Sequence, residues 1–322
     1  MTITEADVAI RLDAFLAKKS DDRSRGDIIR AIKAGNILVN GVVVKPHYKL
    51  HNEDVITITH VDAVQKQELV PNEDISLDII DENDHFLVIN KESGLQVHPS
   101  TRGETDTLAN GLLAHYPAIK DVGDDLLRPG IMHRLDKDTS GLMVIAKDQE
   151  AYEVLKEAFK MRKVQKIYVA LVWRGFDKKE GIIDAPIARA KSYTKQKVAH
   201  GKFGGDAKDA TTLYSVTKEF IFESTKKSDA SIISLVEVQP KTGRMHQIRV
   251  HFAHIQHPLV GDTKYCTKNE YYQNRHFFET LQTDDLHTFF LHASKLAFTL
   301  HEKEYKYELP LPRPFKTYID SL

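Results

Sequence analysis

One cysteine in 322 residues, Cys266, excludes an internal disulfide and any multi-cysteine metal cage. Long apolar runs are missing too: none approaches the length that crosses a bilayer, so no membrane role is expected. Residues 1–7 carry early acids and lack the basic segment and apolar stretch of a secretory leader. A lone thiol without a leader makes the cytoplasm the expected compartment. Positive charge is not in excess, the formal net charge being -1. A chain of that balance that meets nucleic acid has to gather its cations locally, and they are dense at residues 160–166 and 189–197. No internal repeat of fixed period is present.

What is present is an ordinary soluble composition, 41% hydrophobic and 28% charged, in a length that suits one to three domains. Residues 1–60 read as a small module. Leu12, Phe15 and Leu16 form one helical stripe and Ile28, Ile29 and Ile32 a second, stopped by Gly35-Asn36. Ile37-Leu38-Val39 and Val42-Val43-Val44 flank Asn40-Gly41, a dipeptide that tolerates positive φ and predicts a hairpin. Arg23, Arg25, Arg30 and Lys33 line the approach to the second helix and Lys45 follows the hairpin. Residues 61–75 are polar and read as a connector, leaving residues 76–322 as the larger domain.

In that domain, apolar runs at 86–89, 167–172, 232–236 and 296–300 read as strands, with helices placed irregularly between them. The pattern predicts an α+β fold with a mixed, mainly antiparallel sheet. A helix is expected from Asp148, which can cap it, to about Arg162. Residues 201–210 read as a loop and 224–230 as a polar turn.

The chemistry concentrates in His133-Arg134-Leu135-Asp136-Lys137-Asp138-Thr139-Ser140-Gly141, which sets a short carboxylate between two cations in a turn. The strand-like run 142–146 follows and would hold that turn rigidly. Arg134 and Lys137 favour the charged form of Asp136, which equips it as a nucleophile rather than an acid. The alternative is a surface turn with satisfied charges. Farther on, residues 241–254 gather Arg244, Arg249, His246, His251 and His254, followed by His257. No acid is interleaved at ligand spacing, so neither a metal nor another cofactor is expected.

The 133–141 string closely resembles the catalytic signature of the RluA-type pseudouridine synthases, which isomerise uridine to pseudouridine within RNA. Gly243-Arg244, His246 to His251, His257-Pro258 and Gly261-Asp262 resemble the second signature, Lys166-Ile167-Tyr168-Val169-Ala170 a third, and Leu291-His292-Ala293 the last. Residues 86–91 and His98-Pro99 resemble the opening strand and loop, with Glu92 where relatives have proline. Met245, Gln256 and Thr263 are smaller departures, and none removes a charged group. The N-terminal module resembles the S4-type RNA-binding module.

By this resemblance Asp136 is the catalytic carboxylate, Arg249 its bidentate partner, and Tyr168 a stacking and proton-handling group. Arg134 is implied to fill the stack left by an everted nucleotide, since extrusion costs a few kcal/mol. His133, Arg244 and Leu291 complete the implied substrate site. The implied partner is RNA, ribosomal RNA favoured over transfer RNA; the sequence does not give the oligomeric state, and a monomer is the default expectation. Two rivals stand beside this: a non-catalytic RNA-binding assembly factor, and a nucleoside or glycoside hydrolase with Asp138 as second carboxylate.

Overall fold

The computed structural model describes residues 1–20, 25–59, 68–100, 103–190, 195–199, 207–223, 230–268 and 289–322, in two compact units that meet in sequence between Gln67 and Glu68. Arg23, and most of the loop and turn expected at 201–210 and 224–230, lie outside the described residues.

In the first unit, α1 (Leu12–Lys19) and α2 (Arg25–Lys33) turn Leu12, Phe15, Leu16, Ile28 and Ile32 into one small core, closed by Ile37, Val39, Leu50 and Ile56. The Asn40-Gly41 turn forms with both residues at positive φ, 52° and 78°, and Val39 and Val42 exchange backbone bonds of 3.0 Å across it. The hairpin goes no further. Val42 and Val43 are exposed, and β1 (Ile37–Val39) pairs antiparallel with β2 (Ile56–Ile58) instead. Two facts explain the correction. Ile56 buries its side chain there, and the Asn40 amide reaches across to that segment, donating to Asp54 at 2.8 Å and accepting from the Val55 amide at 2.8 Å. Lys33 and Lys45 are exposed. Arg25 and Arg30 lie on α2, with side chains outside the described atoms.

The second unit is built on β3 (Ile79–Glu82), β4 (Phe86–Lys91), α3 (Leu108–His115), β5 (Ser140–Ala146), α4 (Gln149–Lys160), β6 (Gln165–Trp173) and β7 (Glu180–Asp184). It continues with β8 (Ile187–Arg189), β9 (Gln196–Val198), β10 (Thr211–Glu223), β11 (Ala230–Pro240) and α5 (Gln247–His254). The strands β12 (Leu291–Leu300) and β13 (Lys303–Glu308) and the helix α6 (Arg313–Ser321) complete it. One sheet runs β3-β4-β5-β12-β6-β11-β10-β7, with β13 also on β12. Its described pairs are antiparallel except β5 with β12, where His292 faces Ser140 and Ala293 faces Gly141. The fold is therefore α+β on a mixed, mainly antiparallel sheet.

Leu142 to Ala146 are all buried, so β5 is covered on both faces, as its unbroken apolar run requires. Asp148 caps α4 by accepting from the Ala151 amide at 2.8 Å. Residues 68–75, read from sequence as connector, pack into this unit: Leu69 is buried in the main core and Val70 accepts from Asn110 at 2.7 Å. Polarity alone concealed that anchoring. Among the described residues no helix is long and apolar enough to cross a membrane.

Gly141 lies at the crossing of β5 and β12 with φ 116°. A Cβ there would stand 2.4 Å from the Ala293 carbonyl oxygen, so the close approach needs glycine. On the other side of β12, Ala293 faces Tyr168 and Leu291 faces Ala170 on β6. The turn ahead of β5 is thereby held beside the start of β12 and the middle of β6.

Candidate active site

Asp136 sits in that turn, its carbonyl accepting from the Thr139 amide at 3.1 Å. The turn is braced from below by Lys91, which ends β4 and is 1% exposed. The Lys91 ammonium donates to the carbonyls of Glu92, Leu95 and Lys137 at 2.6, 2.8 and 2.9 Å. Ser93 Oγ adds a bond to the Asp138 carbonyl at 2.8 Å. Burial pushes the Lys91 pKa down to about 7, opposed by Asp138, Glu92 and Asp136.

Arg249, on the first turn of α5 and 113 residues away in sequence, donates from Nη1 to Asp136 Oδ2 at 3.2 Å. A second carboxylate fixes the guanidinium. Asp262 is fully buried and takes Nε at 2.7 Å and Nη2 at 3.0 Å, a bidentate fork. Asp262 is itself held by the amides of Lys264 and Tyr265 at 2.9 and 3.1 Å. The rings of Phe289 and Tyr265 lie 4.1 and 5.1 Å from the guanidinium carbon. Burial disfavours the Arg249 charge, yet the Asp262 and Asp136 carboxylates outweigh it and hold the group firmly protonated.

A third polar cluster sets the turn between β11 and α5. Gln247 accepts from Thr242 Oγ1 at 2.6 Å and from the Arg244 amide at 3.0 Å, and donates to Thr212 Oγ1 at 3.0 Å. The chain continues from Thr212 Oγ1 to His251 Nδ1 at 2.9 Å and from His251 Nε2 to the Ala185 carbonyl at 3.0 Å. Such a satisfied buried network rigidifies the elements it joins. It presents Arg249 at a constant angle.

Asp136, Arg249, Tyr168, Leu291, Arg134 and Arg244 all line one hollow of about 160 Å³. Asp136 is the only carboxylate among the described residues of its wall. Asp138 is not among them; burial pushes its pKa up, with Asp136 adding to the rise and Arg249 and Lys137 opposing it. Tyr168 is buried, and burial together with the Asp136 charge raises its pKa well above the ordinary tyrosine value. It is a neutral phenol, able to stack and to hydrogen-bond.

His133 stands apart from this group. Its Nε2 accepts from the Val144 amide at 3.1 Å and its ring stacks on Phe159 at 4.4 Å. Burial, with Lys166 nearby, pushes its pKa down to about 3, so it braces the turn as a neutral ring and faces an adjoining trough.

Three comparisons bear on this arrangement. Residues 85–254 match the RNA pseudouridylate synthase family, and residues 10–56 match the S4 domain. An RNA pseudouridine synthase of Bacillus subtilis is 36% identical over 325 residues, covering 100% of this chain and 97% of the relative.

The chain belongs to the RNA pseudouridylate synthase family.

The ribosomal large subunit pseudouridine synthase D of Pseudomonas aeruginosa is 39% identical over 255 residues, covering 79% of this chain and 73% of the relative. Among solved structures, human RNA pseudouridylate synthase domain containing 4 is 28% identical with a TM-score of 0.54, covering 75% of this chain and 91% of that one.

Within this synthase fold, three of the histidines between residues 246 and 257 are engaged separately. His246 Nδ1 is bonded to the Tyr265 hydroxyl at 2.6 Å, His251 lies in the buried network, and His257 donates to the Trp173 carbonyl at 3.1 Å while stacking on Phe176. Sequence reasoning assigned no role to Asp262, Lys91 or Gln247. Asp262 had one signal, an acid inside the second signature, but its pairing with Arg249 exists only once the chain turns back after α5. Lys91 ends the motif at residues 86–91, but its part in the site appears only once β4 is seen to end beneath the turn that carries Asp136.

Proposed function

We propose that this synthase converts uridine to pseudouridine in large-subunit ribosomal RNA, with Asp136 as its catalytic group. What supports the reading is one observation: a single carboxylate, clamped by a fixed guanidinium, faces a half-open hollow that a bound nucleotide would fill. Isomerisation breaks the bond from ribose to a ring nitrogen, turns the base in place and rejoins it through a ring carbon. One carboxylate acting at the sugar suffices if water is kept out, since water would end the reaction as hydrolysis. Arg249 orients Asp136 toward the sugar. Tyr168, as a neutral phenol, stacks on the base and hydrogen-bonds it, and Leu291 supports it from below.

The ring carbon's proton then leaves to the Asp136 carboxylate, and the ring nitrogen freed from the ribose takes up one proton in balance; Tyr168 is not the base, because a neutral phenol held above its ordinary pKa accepts protons poorly. Arg134 is exposed at the mouth, placed to enter the gap left by the everted nucleotide. The substrate class follows the relatives named as ribosomal large subunit synthases, and transfer RNA is the second substrate to assay.

The test is incubation with large-subunit ribosomal RNA. Pseudouridine should accumulate without free uracil, and Asp136→Asn should abolish conversion while RNA binding stays close to the parent's. Released uracil would instead establish a hydrolase, and binding without either product an assembly factor.

A further inference from the structure

A trough of about 510 Å³ opens beside the 160 Å³ hollow and shares Arg134, Lys166 and Arg244 with it. Eight Lys and Arg side chains line it and, among the described residues, no carboxylate does. For a chain of net charge -1 that is a strong local concentration of one sign. Its volume is far beyond what one base requires.

The cations come from two walls. Lys156 and Lys160 stand one turn apart on α4, and Arg162 follows the helix end; Lys241 lies opposite, on the turn after β11. Arg134, Arg162, Lys166 and Lys241 have no carboxylate partner among the described residues. Lys156 and Lys160 do pair, with Asp124 at 2.6 Å and Glu157 at 2.9 Å, but these are exposed pairs of little strength that a phosphate can replace. His98 also lines the trough, and its Nδ1 is buried without a hydrogen-bond partner.

Arg162 adds a second kind of observation. It occupies the left-handed region at φ 58°, just past the end of α4, where glycine is the favoured residue. An exposed arginine there retains backbone strain that glycine would relieve. Its side chain makes no described contact that offsets this.

We propose that the trough seats the backbone phosphates of the RNA strand that leads into the hollow, with Arg162 and Lys241 gripping it from opposite walls. The proposal rests on the uridine site described above and extends it from the reacting nucleotide to its neighbours. RNA enters along α4, phosphates are held between the two walls, and the everted uridine drops into the hollow past Arg134.

The test uses full-length Asp136→Asn protein, which cannot turn over, and a large-subunit ribosomal RNA transcript titrated across a series of potassium chloride concentrations. Adding Arg162→Gly and Lys241→Ala should weaken binding about tenfold at physiological salt and lower the slope of log K against log salt by about 1.4–1.8, two phosphate contacts' worth. Arg162→Gly should leave the melting temperature equal or higher, so lost affinity is not lost folding. An unchanged slope overturns the proposal, whether or not affinity falls. If wild-type protein forms no pseudouridine but the slope still drops, the isomerase reading fails and the phosphate seat stands. If pseudouridine forms and the slope is unchanged, the reverse holds.

Discussion

Asp262 shows how much of this site depends on a side chain that never meets the substrate. It occupies two of the guanidinium's three nitrogens and so aims the remaining one, Nη1, at Asp136. Asp262→Asn keeps the shape and loses the charge. We expect turnover to fall about 100-fold, because small misplacements of a catalytic partner cost that much, and unfolding free energy to drop by about 3 kcal/mol from the broken buried pair. Steady-state kinetics and denaturant melts check both, and turnover within threefold of the parent would remove Asp262 from the site. Residue by residue, the sequence disclosed the groups that carry charge in a distinctive string, Asp136, Arg134, Arg244 and Arg249. It concealed Asp262 and Lys91, whose significance is entirely in what they touch, and it did not show that His133 accepts from the Val144 amide and lines the trough rather than the hollow.

At the scale of elements, the apolar runs of β4, β5, β6, β11 and β12 and the cap of α4 were legible because periodicity and capping are local properties. The partner of β1 was not. A turn signal at Asn40-Gly41 forecasts a reversal of the chain, but which strand then fills the ladder was decided by Ile56 and by the Asn40 amide, whose contacts with Asp54 and Val55 lie 14 and 15 residues away. The same limit applies to β5 and β12, whose parallel junction no local pattern announces. It is also a point of very close backbone approach. Gly141→Ala would combine a strained φ with contact against the Ala293 backbone, and we expect a loss of about 3–5 kcal/mol together with displacement of the catalytic turn. A soluble, active Gly141→Ala protein with the parent's melting temperature would show that the junction can open.

At the scale of the whole molecule, burial lowers the pKa of six described histidines, four of them furthest: His98, His246 and His292 near about 4, and His133 near about 3, with His251 and His257 lowered as well. The ordinary value in an unfolded chain is about 6.5. Below that pH the unfolded chain binds protons that the folded one refuses, so folding stability is full above about 6.5 and declines as pH falls toward 4. Thermal melts across that window should show a steep acid loss of melting temperature, and a flat profile would mean these rings protonate freely in the fold. RNA affinity, by contrast, should not change through these histidines in the range where the protein is folded.

The strand β12 lies between β5 and β6 and brings Leu291 to the hollow, although it begins about nine-tenths of the way along the chain. Long-range pairings of this kind form late and slowly. On the proposed function, a ribosome-bound chain still short of residue 291 therefore carries Asp136 without a finished chamber around it. Full reactivity has to await synthesis of β12, and until then the nascent polypeptide is kept inert toward the RNA surrounding it.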